Sequence, residues 1–329
     1  MTTSNQNPTP NLLLPRIETL EAYIPTYRAE AVWRPAMEEI CRRHALDART
    51  LAFAPPGSNV LFYVDPGLLI KLFPPMWAGD CAREELVLRA LAGQSAFEAP
   101  RVRFAGEVEG WPYMVLTRLP GVSLDQIWED LDGPGRERIA AGLGRAMAAL
   151  HRTPTAGLSA LGTDWEGFLQ GQRAALIETQ RAAGASPAWL EDIAAYYAAL
   201  PALVEPGFQP VLINADLNPE HIFCRETAAG WEVAGFIDFG DAMLGTPCYE
   251  FVCPGFFLAG HPAARRRMLL EYGLPPAALD ARLSRLLTAH ILLHRFIDVT
   301  QFPELFPQHP PASMRELEET AWGFTPEGI

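Results

Sequence analysis

The segment from Val211 to Asp241, VLINADLNPEHIFCRETAAGWEVAGFIDFGD, contains two apolar, strand-like runs that each deliver an aspartate. Asp216 follows the first run. Asp238 ends the second and is followed by Phe239 and Gly240. His221 stands five residues beyond Asp216. An aspartate, a short spacer, a metal ligand and a later Asp-Phe-Gly is the order in which a phosphoryl-transfer centre presents its base and its metal ligands. That chemistry asks the protein for charge neutralisation and alignment more than for covalent help. Asp216 is the residue to accept or orient the acceptor hydroxyl's proton, a role worth about 10²–10⁴-fold. Asp238 is the residue to hold divalent cations on the phosphates. The plain alternative for either is an aspartate capping a turn. His221 occupies the position where an asparagine oxygen would meet magnesium. Magnesium prefers oxygen and imidazole suits softer metals, so His221 is read as a metal ligand of unusual type.

A phosphate-binding cation is needed elsewhere. Lys71 is the only lysine in the chain; the other 25 of the 26 basic residues (26 − 1) are arginine. It lies inside the apolar run Leu68-Leu69-Ile70-Lys71-Leu72-Phe73. A solvated charge there could have been arginine, whereas a compact ammonium reaching a phosphate from a strand is not interchangeable with a guanidinium. A carboxylate to orient it should come from the following helix, where Glu84 and Glu85 are adjacent; Glu84 has the spacing to face inward with Leu88 and Leu91. Pro55-Pro56-Gly57-Ser58-Asn59 is the candidate phosphate-covering loop, with Ser58 and backbone amides as contacts, although no GxGxxG or Walker A motif is present. The stretch Val115–Leu119, with Leu116 and Leu119, is the candidate backbone partner of a purine. His151, at a helix end, reads as structural, its cationic form suited to a helix C-terminus.

The elements that must position these groups fall into two patterns. Residues 17–45 have helical spacing that Pro25 and Pro35 should divide. Strands are expected at 51–54, 60–64, 68–73, 101–107 and 111–116, with a helix over 80–91. Leu119-Pro120-Gly121 then breaks the pattern. Helices are expected over 124–131, 136–152, 165–182, 187–200, 247–258, 262–272, 276–298 and 312–322. The fold class is therefore α+β: a flexible tail over 1–14, a small β-rich N-lobe with a helical extension over 15–117, and a larger, mostly helical C-lobe over 118–329 carrying both aspartates.

Composition narrows the partners. A net charge of −13 argues against nucleic acid and suits a small cationic or polyhydroxylated substrate. No apolar run reaches membrane-spanning length, and the polar start MTTSNQNPTPN has no signal pattern. Cys41, Cys81, Cys224, Cys248 and Cys253 form no CxxC pair. A reduced cytoplasm is the expected compartment, with a monomer or homodimer as the expected state.

With these residues in hand, the chain is identified as resembling the aminoglycoside phosphotransferase family, which has a protein-kinase-like two-lobed fold. Asn214-Ala215-Asp216 followed by His221 resembles the family's His-Gly-Asp brace and metal ligand, and Phe236-Ile237-Asp238-Phe239-Gly240-Asp241 its second metal motif. Within the family the similarity is greatest to hygromycin B phosphotransferases, on Leu12–Ile17, Ala31–Met37, Ile70–Phe73 and Leu292-Leu293-His294-Arg295-Phe296. Asn214 departs from the family's histidine and His221 from its asparagine; macrolide phosphotransferases resemble this chain at His221. The resemblance implies ATP or GTP, Mg²⁺ with Mn²⁺ as the alternative, and transfer to a hydroxyl of a small antibiotic. Asp241, Glu250 and Asp298 are then the candidates to hold substrate ammonium groups. The alternatives are a kinase of a macrolide or metabolite, and a non-catalytic nucleotide binder, which Asn214 and His221 favour.

Overall fold

A computed structural model describes residues 12–324 apart from 55–56, 94–95, 163, 201–202 and 204–207. Pro55 and Pro56 of the expected phosphate loop, and nearly all of the expected tail, lie outside the described residues. The chain divides into two compact units, Met1–Arg89 with Pro100–Arg118, and Ala90–Ala99 with Leu119–Ile329.

The first unit is built on a five-stranded antiparallel sheet. Its strands are β1 (Ala52–Phe53), β2 (Val60–Val64), β3 (Leu68–Leu72), β4 (Val102–Val108) and β5 (Trp111–Thr117), in the order β1-β2-β3-β5-β4. Strand alternation sorts its faces. Val60, Phe62 and Val64 of β2, Ile70 and Leu72 of β3, and Trp111, Tyr113 and Val115 of β5 enter one core with the N-terminal helices α1 (Leu20–Tyr23) and α2 (Glu30–His44). Tyr23, Trp33, Trp77 and Trp111 form its aromatic centre, with ring centroids 5.2–6.4 Å apart. Lys71, between Ile70 and Leu72, is thereby turned to the opposite face, where it meets helix α3 (Ala78–Leu91). Pro35 does not divide α2 as expected. It removes a helix hydrogen bond, but Trp33, Ala36, Met37, Ile40 and Cys41 are all buried around it, and that packing holds the helix together.

The second unit is mostly helical. Its long helices are α4 (Gly133–His151), α5 (Trp165–Ala183), α6 (Pro187–Ala198), α9 (Pro262–Tyr272), α10 (Ala281–Leu293) and α12 (Met314–Trp322), with short α7 (Pro247–Glu250), α8 (Val252–Phe257) and α11 (Phe302–Leu305). Asp132, Asp164, Ser186 and Asp280 cap α4, α5, α6 and α10 with their side chains. At Gly144 the backbones of α4 and α9 approach so closely that a Cβ would sit 2.2 Å from the Met268 carbonyl oxygen. Residues 124–131 form two 3₁₀ turns, Leu124–Gln126 and Trp128–Asp130, where one helix was expected. Three short strands, β6 (Val122–Ser123), β8 (Ile222–Thr227) and β9 (Gly230–Phe236), make one sheet, while β7 (Val211–Ile213) pairs with β10 (Met243–Gly245). Residues 96–99 join this unit: Glu98 bonds to the backbones of Ala234 and Phe236, and a Cβ at Gly235 would lie 2.0 Å from the Glu98 carbonyl oxygen. All five cysteines are free thiols. Among the described residues no helix is long and apolar enough to cross a membrane.

Candidate active site

Strand β7 ends at Ile213 and the chain turns through Asn214-Ala215-Asp216 before the 3₁₀ turn Pro219–His221. The turn requires Ala215 to adopt φ 67°, a left-handed conformation that a Cβ opposes. Three groups hold it there. The Glu250 carboxylate accepts from Asn214 N at 3.0 Å and from Ala215 N at 2.7 Å. His294 Nε2 donates to the Ala215 carbonyl oxygen at 3.0 Å. Asn214, wholly buried, accepts from Asp216 N at 3.0 Å through Oδ1.

The same asparagine reaches the second aspartate. Its Nδ2 donates to the carbonyl oxygens of Asp238 at 2.8 Å and Ile237 at 3.3 Å. Asp238 is also left-handed, at φ 55°. Backbone strain of this kind persists only where neighbours over-determine it. Here one amide side chain ties both strained segments together.

Asp216 is partly buried, its side chain 22% exposed. Asn218 Nδ2 donates to its Oδ1 at 2.5 Å, which fixes the carboxylate's orientation. Burial pushes Asp216 up to about 6; His221 opposes this, and Asp241, Asp238 and Glu220 add to it. A carboxylate in that range is suited to taking a hydroxyl proton near neutral pH. His221 Nδ1 lies 2.7 Å from the Asp216 carbonyl oxygen. A carbonyl can only accept, so Nδ1 carries a proton, which in the neutral imidazole leaves the lone pair on Nε2. That Nε2 lies 4.0 Å from Asp238 Oδ2. One imidazole nitrogen and one carboxylate are a sparse donor set; the described residues contain no group of three or more His, Cys, Asp or Glu placed for a metal. The Asp238 carboxylate suits magnesium or manganese, which keep waters and substrate phosphates as other ligands, while the His221 imidazole suits a softer metal.

In the first unit, Lys71 Nζ donates to Glu84 Oε2 at 2.7 Å, with the two residues only 5% and 1% exposed. Glu85 instead pairs with Arg89 on the exposed side of α3. The exposed Ser58 receives a hydrogen bond on its carbonyl oxygen from Tyr23 Oη at 2.9 Å, which anchors the loop to α1. Leu116 is in β5, paired with Leu69 and Val102, and Leu119 opens the second unit.

Of the three expected substrate contacts, Glu250 is placed differently. Glu250 is 2% exposed with both oxygens on backbone amides, so it braces the 214–215 turn and is not presented to a ligand. Burial pushes it up to about 7, against the pull of those two amides. Asp298 caps the 3₁₀ turn Val299–Gln301 through Thr300 N. Asp241 is paired with Arg295 at 3.1 Å. His151 is neutral, pushed down to about 3 by burial, and bonds Tyr272 Oη at 2.8 Å; its structural reading needs no positive charge. Sequence reasoning missed Asn218 and the bracing role of His294. Asn218 had a visible signal, its place two residues after Asp216; His294 had none, because its partner is 79 residues away.

The chain combines two compact units, a buried lysine–glutamate pair on sheet and helix, and a braced pair of aspartates. The model of the phosphotransferase enzyme family matches residues 55–284, and the chain belongs to that family. Viomycin phosphotransferase of Streptomyces vinaceus is 27% identical over 187 residues, covering 51% of this chain and 60% of that protein's length. Among solved structures, the GDP complex of wild-type aminoglycoside 2′-phosphotransferase-IIIa has a TM-score of 0.66 at 18% identity, covering 86% of this chain and 96% of that one. The apoenzyme of macrolide 2′-phosphotransferase from Brachybacterium faecium has a TM-score of 0.59 at 20% identity, covering 88% and 98%. At these identities the likeness is one of fold.

Proposed function

We propose that this chain transfers the γ-phosphate of ATP or GTP to a hydroxyl group of a small antibiotic-type molecule. The observation that carries the reading is the doubly braced pair Asp216 and Asp238, joined through Asn214 and with His221 Nε2 4.0 Å from Asp238. Asp216 takes or orients the acceptor's proton, with Asn218 fixing its carboxylate. Lys71, held by Glu84, neutralises nucleotide phosphate charge. His221 and Asp238 would hold Mg²⁺ or Mn²⁺, which supplies charge neutralisation on the phosphates when bound. Ser58 and the Leu116–Leu119 backbone are proposed nucleotide contacts. Nucleotide use is supported by the GDP and ATP complexes among structures of like fold.

For the acceptor, the sequence resemblance favours an aminoglycoside-type antibiotic, hygromycin B first. Relatives of this chain are named for viomycin, aminoglycosides and macrolides. A second reading, a macrolide or metabolite of lower charge, is favoured by the aromatic cleft described below. A non-catalytic binder is disfavoured because Asp216 retains a fixed orientation and an elevated proton affinity. The test is phosphate transfer from labelled ATP and GTP to hygromycin B, kanamycin, viomycin and erythromycin, with Mg²⁺ or Mn²⁺, against Asp216→Asn. Transfer lost in the variant by about 10²-fold or more is expected. Nucleotide binding without transfer to any acceptor would overturn the reading.

A further inference from the structure

A cleft of about 410 Å³ lies wholly within the second unit and includes Asn218 and Pro219 in its wall. This is within the size range of small-molecule sites. Asn218 is also the residue that grips Asp216 Oδ1 at 2.5 Å, so the cleft is one side chain away from the proposed base. Part of its wall is aromatic. Trp128 stands perpendicular to Phe257 and to His261, at 5.3 and 5.5 Å between ring centroids. Phe256 meets Phe306 edge-on at 5.6 Å.

Its charge is low. Among the lining residues the carboxylates are Glu129 and Glu304, and the guanidinium is that of Arg136. Two negative charges against one positive leave −1 (2 − 1), so the chain's −13 is not concentrated here. Burial lowers the pKa of His261, which is therefore neutral at pH 7. Arg136 stacks on Trp128 at 5.4 Å and donates to the carbonyl oxygens of Trp128 and Glu129 at 3.3 and 3.2 Å. Its Nε is buried without a protein acceptor. A ligand bearing many ammonium groups would leave most of them desolvated and unpaired in this cleft, which is costly.

We propose that this cleft seats the acceptor and selects an oxygen-rich molecule with an apolar ring face and few charges over a polycation. The inference rests on the assignment of Asp216 as the group that meets the acceptor hydroxyl. Phe257 supplies a face for the ring, and Gln308 and Thr320 in the wall supply polar groups for ether, carbonyl or hydroxyl oxygens. Glu129 and Glu304 are both exposed at the rim.

The test uses the full chain and pairs phosphate-transfer kinetics with calorimetric binding of erythromycin, hygromycin B and kanamycin. Phe257→Ala and Trp128→Ala are compared with the surface pair Glu129→Gln/Glu304→Gln, and each variant's melting curve checks that it folds. Phe257 is only half-buried, so its variant answers the question even where Trp128→Ala fails to fold. Expected is a preference for the low-charge acceptor, with its KM raised about tenfold by either aromatic truncation at nearly constant kcat, and changed less than about threefold by the glutamine pair. Preference for kanamycin, with KM set by the glutamates and indifferent to the aromatics, overturns the cleft assignment while phosphate transfer stands. If no panel member is phosphorylated, the function reading fails, and calorimetry decides the cleft separately. Erythromycin binding weakened by Phe257→Ala supports it, and no binding of any panel member overturns it.

Discussion

Asn214→Ala should be more damaging than its distance from any substrate atom would indicate. The side chain is wholly buried and makes three hydrogen bonds, to the carbonyl oxygens of Ile237 and Asp238 and from the Asp216 amide. At about 1 kcal/mol each these sum to about 3 kcal/mol. Loss of packing around a filled position adds about 1 kcal/mol more. The expected destabilisation is therefore about 4 kcal/mol, read by urea unfolding. The effect on catalysis follows from what the bonds restrain. Ala215 and Asp238 are both left-handed, each holding about 1–3 kcal/mol of strain. Without the asparagine each can relax independently, and a displacement near 1 Å at either carboxylate costs about 10²-fold in rate. Asn214→Asp keeps the acceptor oxygen but loses both donors, so it should weaken the link to Asp238 while retaining the bond from Asp216 N. A variant within about 1 kcal/mol of wild type, with kcat within about threefold, would refute the claim that this amide couples the two aspartates.

Lys71→Arg should lower kcat/KM for nucleotide by at least about tenfold, because a planar fork cannot replace a point charge 2.7 Å from Glu84 in a buried pair; unchanged nucleotide kinetics would remove Lys71 from the phosphate site. Gly144→Ala should destabilise by about 2 kcal/mol or more in thermal unfolding, since its Cβ would lie 2.2 Å from the Met268 carbonyl oxygen on α9; a neutral effect would mean that the helices separate at little cost. Glu250 gives a pH prediction. Burial raises its pKa from the ordinary 4.5 to about 7, so the stability it contributes is present below 4.5 and is lost as pH rises through 7. Glu250→Gln cannot titrate. Wild type should therefore lose stability relative to this variant between pH 5 and pH 8, by up to about 3 kcal/mol, on top of a pH-independent cost of about 1–3 kcal/mol for placing an NH₂ against a backbone N–H. Parallel unfolding curves for the two proteins at both pH values would contradict that assignment.

The parts of this protein legible in its sequence are those governed by local period or by rarity. Alternation fixed β2 to its residues, Val60–Val64, because one face had to enter a core. The sole lysine stood out against 25 arginines, and helical spacing separated inward Glu84 from outward Glu85. What stayed hidden depends on tertiary packing. Pro35 should have broken a helix by local rules, and buried neighbours overrode it. Glu250 looked like a carboxylate available to a ligand, yet its oxygens serve amides 35 and 36 residues away. The aromatic cleft draws on residues near 128, 218, 256 and 306, a combination no window along the chain contains.

The two departures from the family pattern, Asn214 and His221, are best understood together. The brace needs donors for carbonyl oxygens and an acceptor for an amide; an asparagine supplies both from one side chain, and here each is used. The proposed metal contact at His221 would need a lone pair on the Asp238 side. A histidine can offer one only if its other nitrogen is held as a donor, and the Asp216 carbonyl oxygen 2.7 Å from Nδ1 does this. Whatever its part in the proposed metal contact, the His221 Nδ1–H bond closes the turn that carries Asp216. Replacing it with asparagine would restore an oxygen for magnesium but put that closing bond at risk. The hydrogen-bond logic of the loop is complete with these residue types, which argues against reading them as the decay of a catalytic centre.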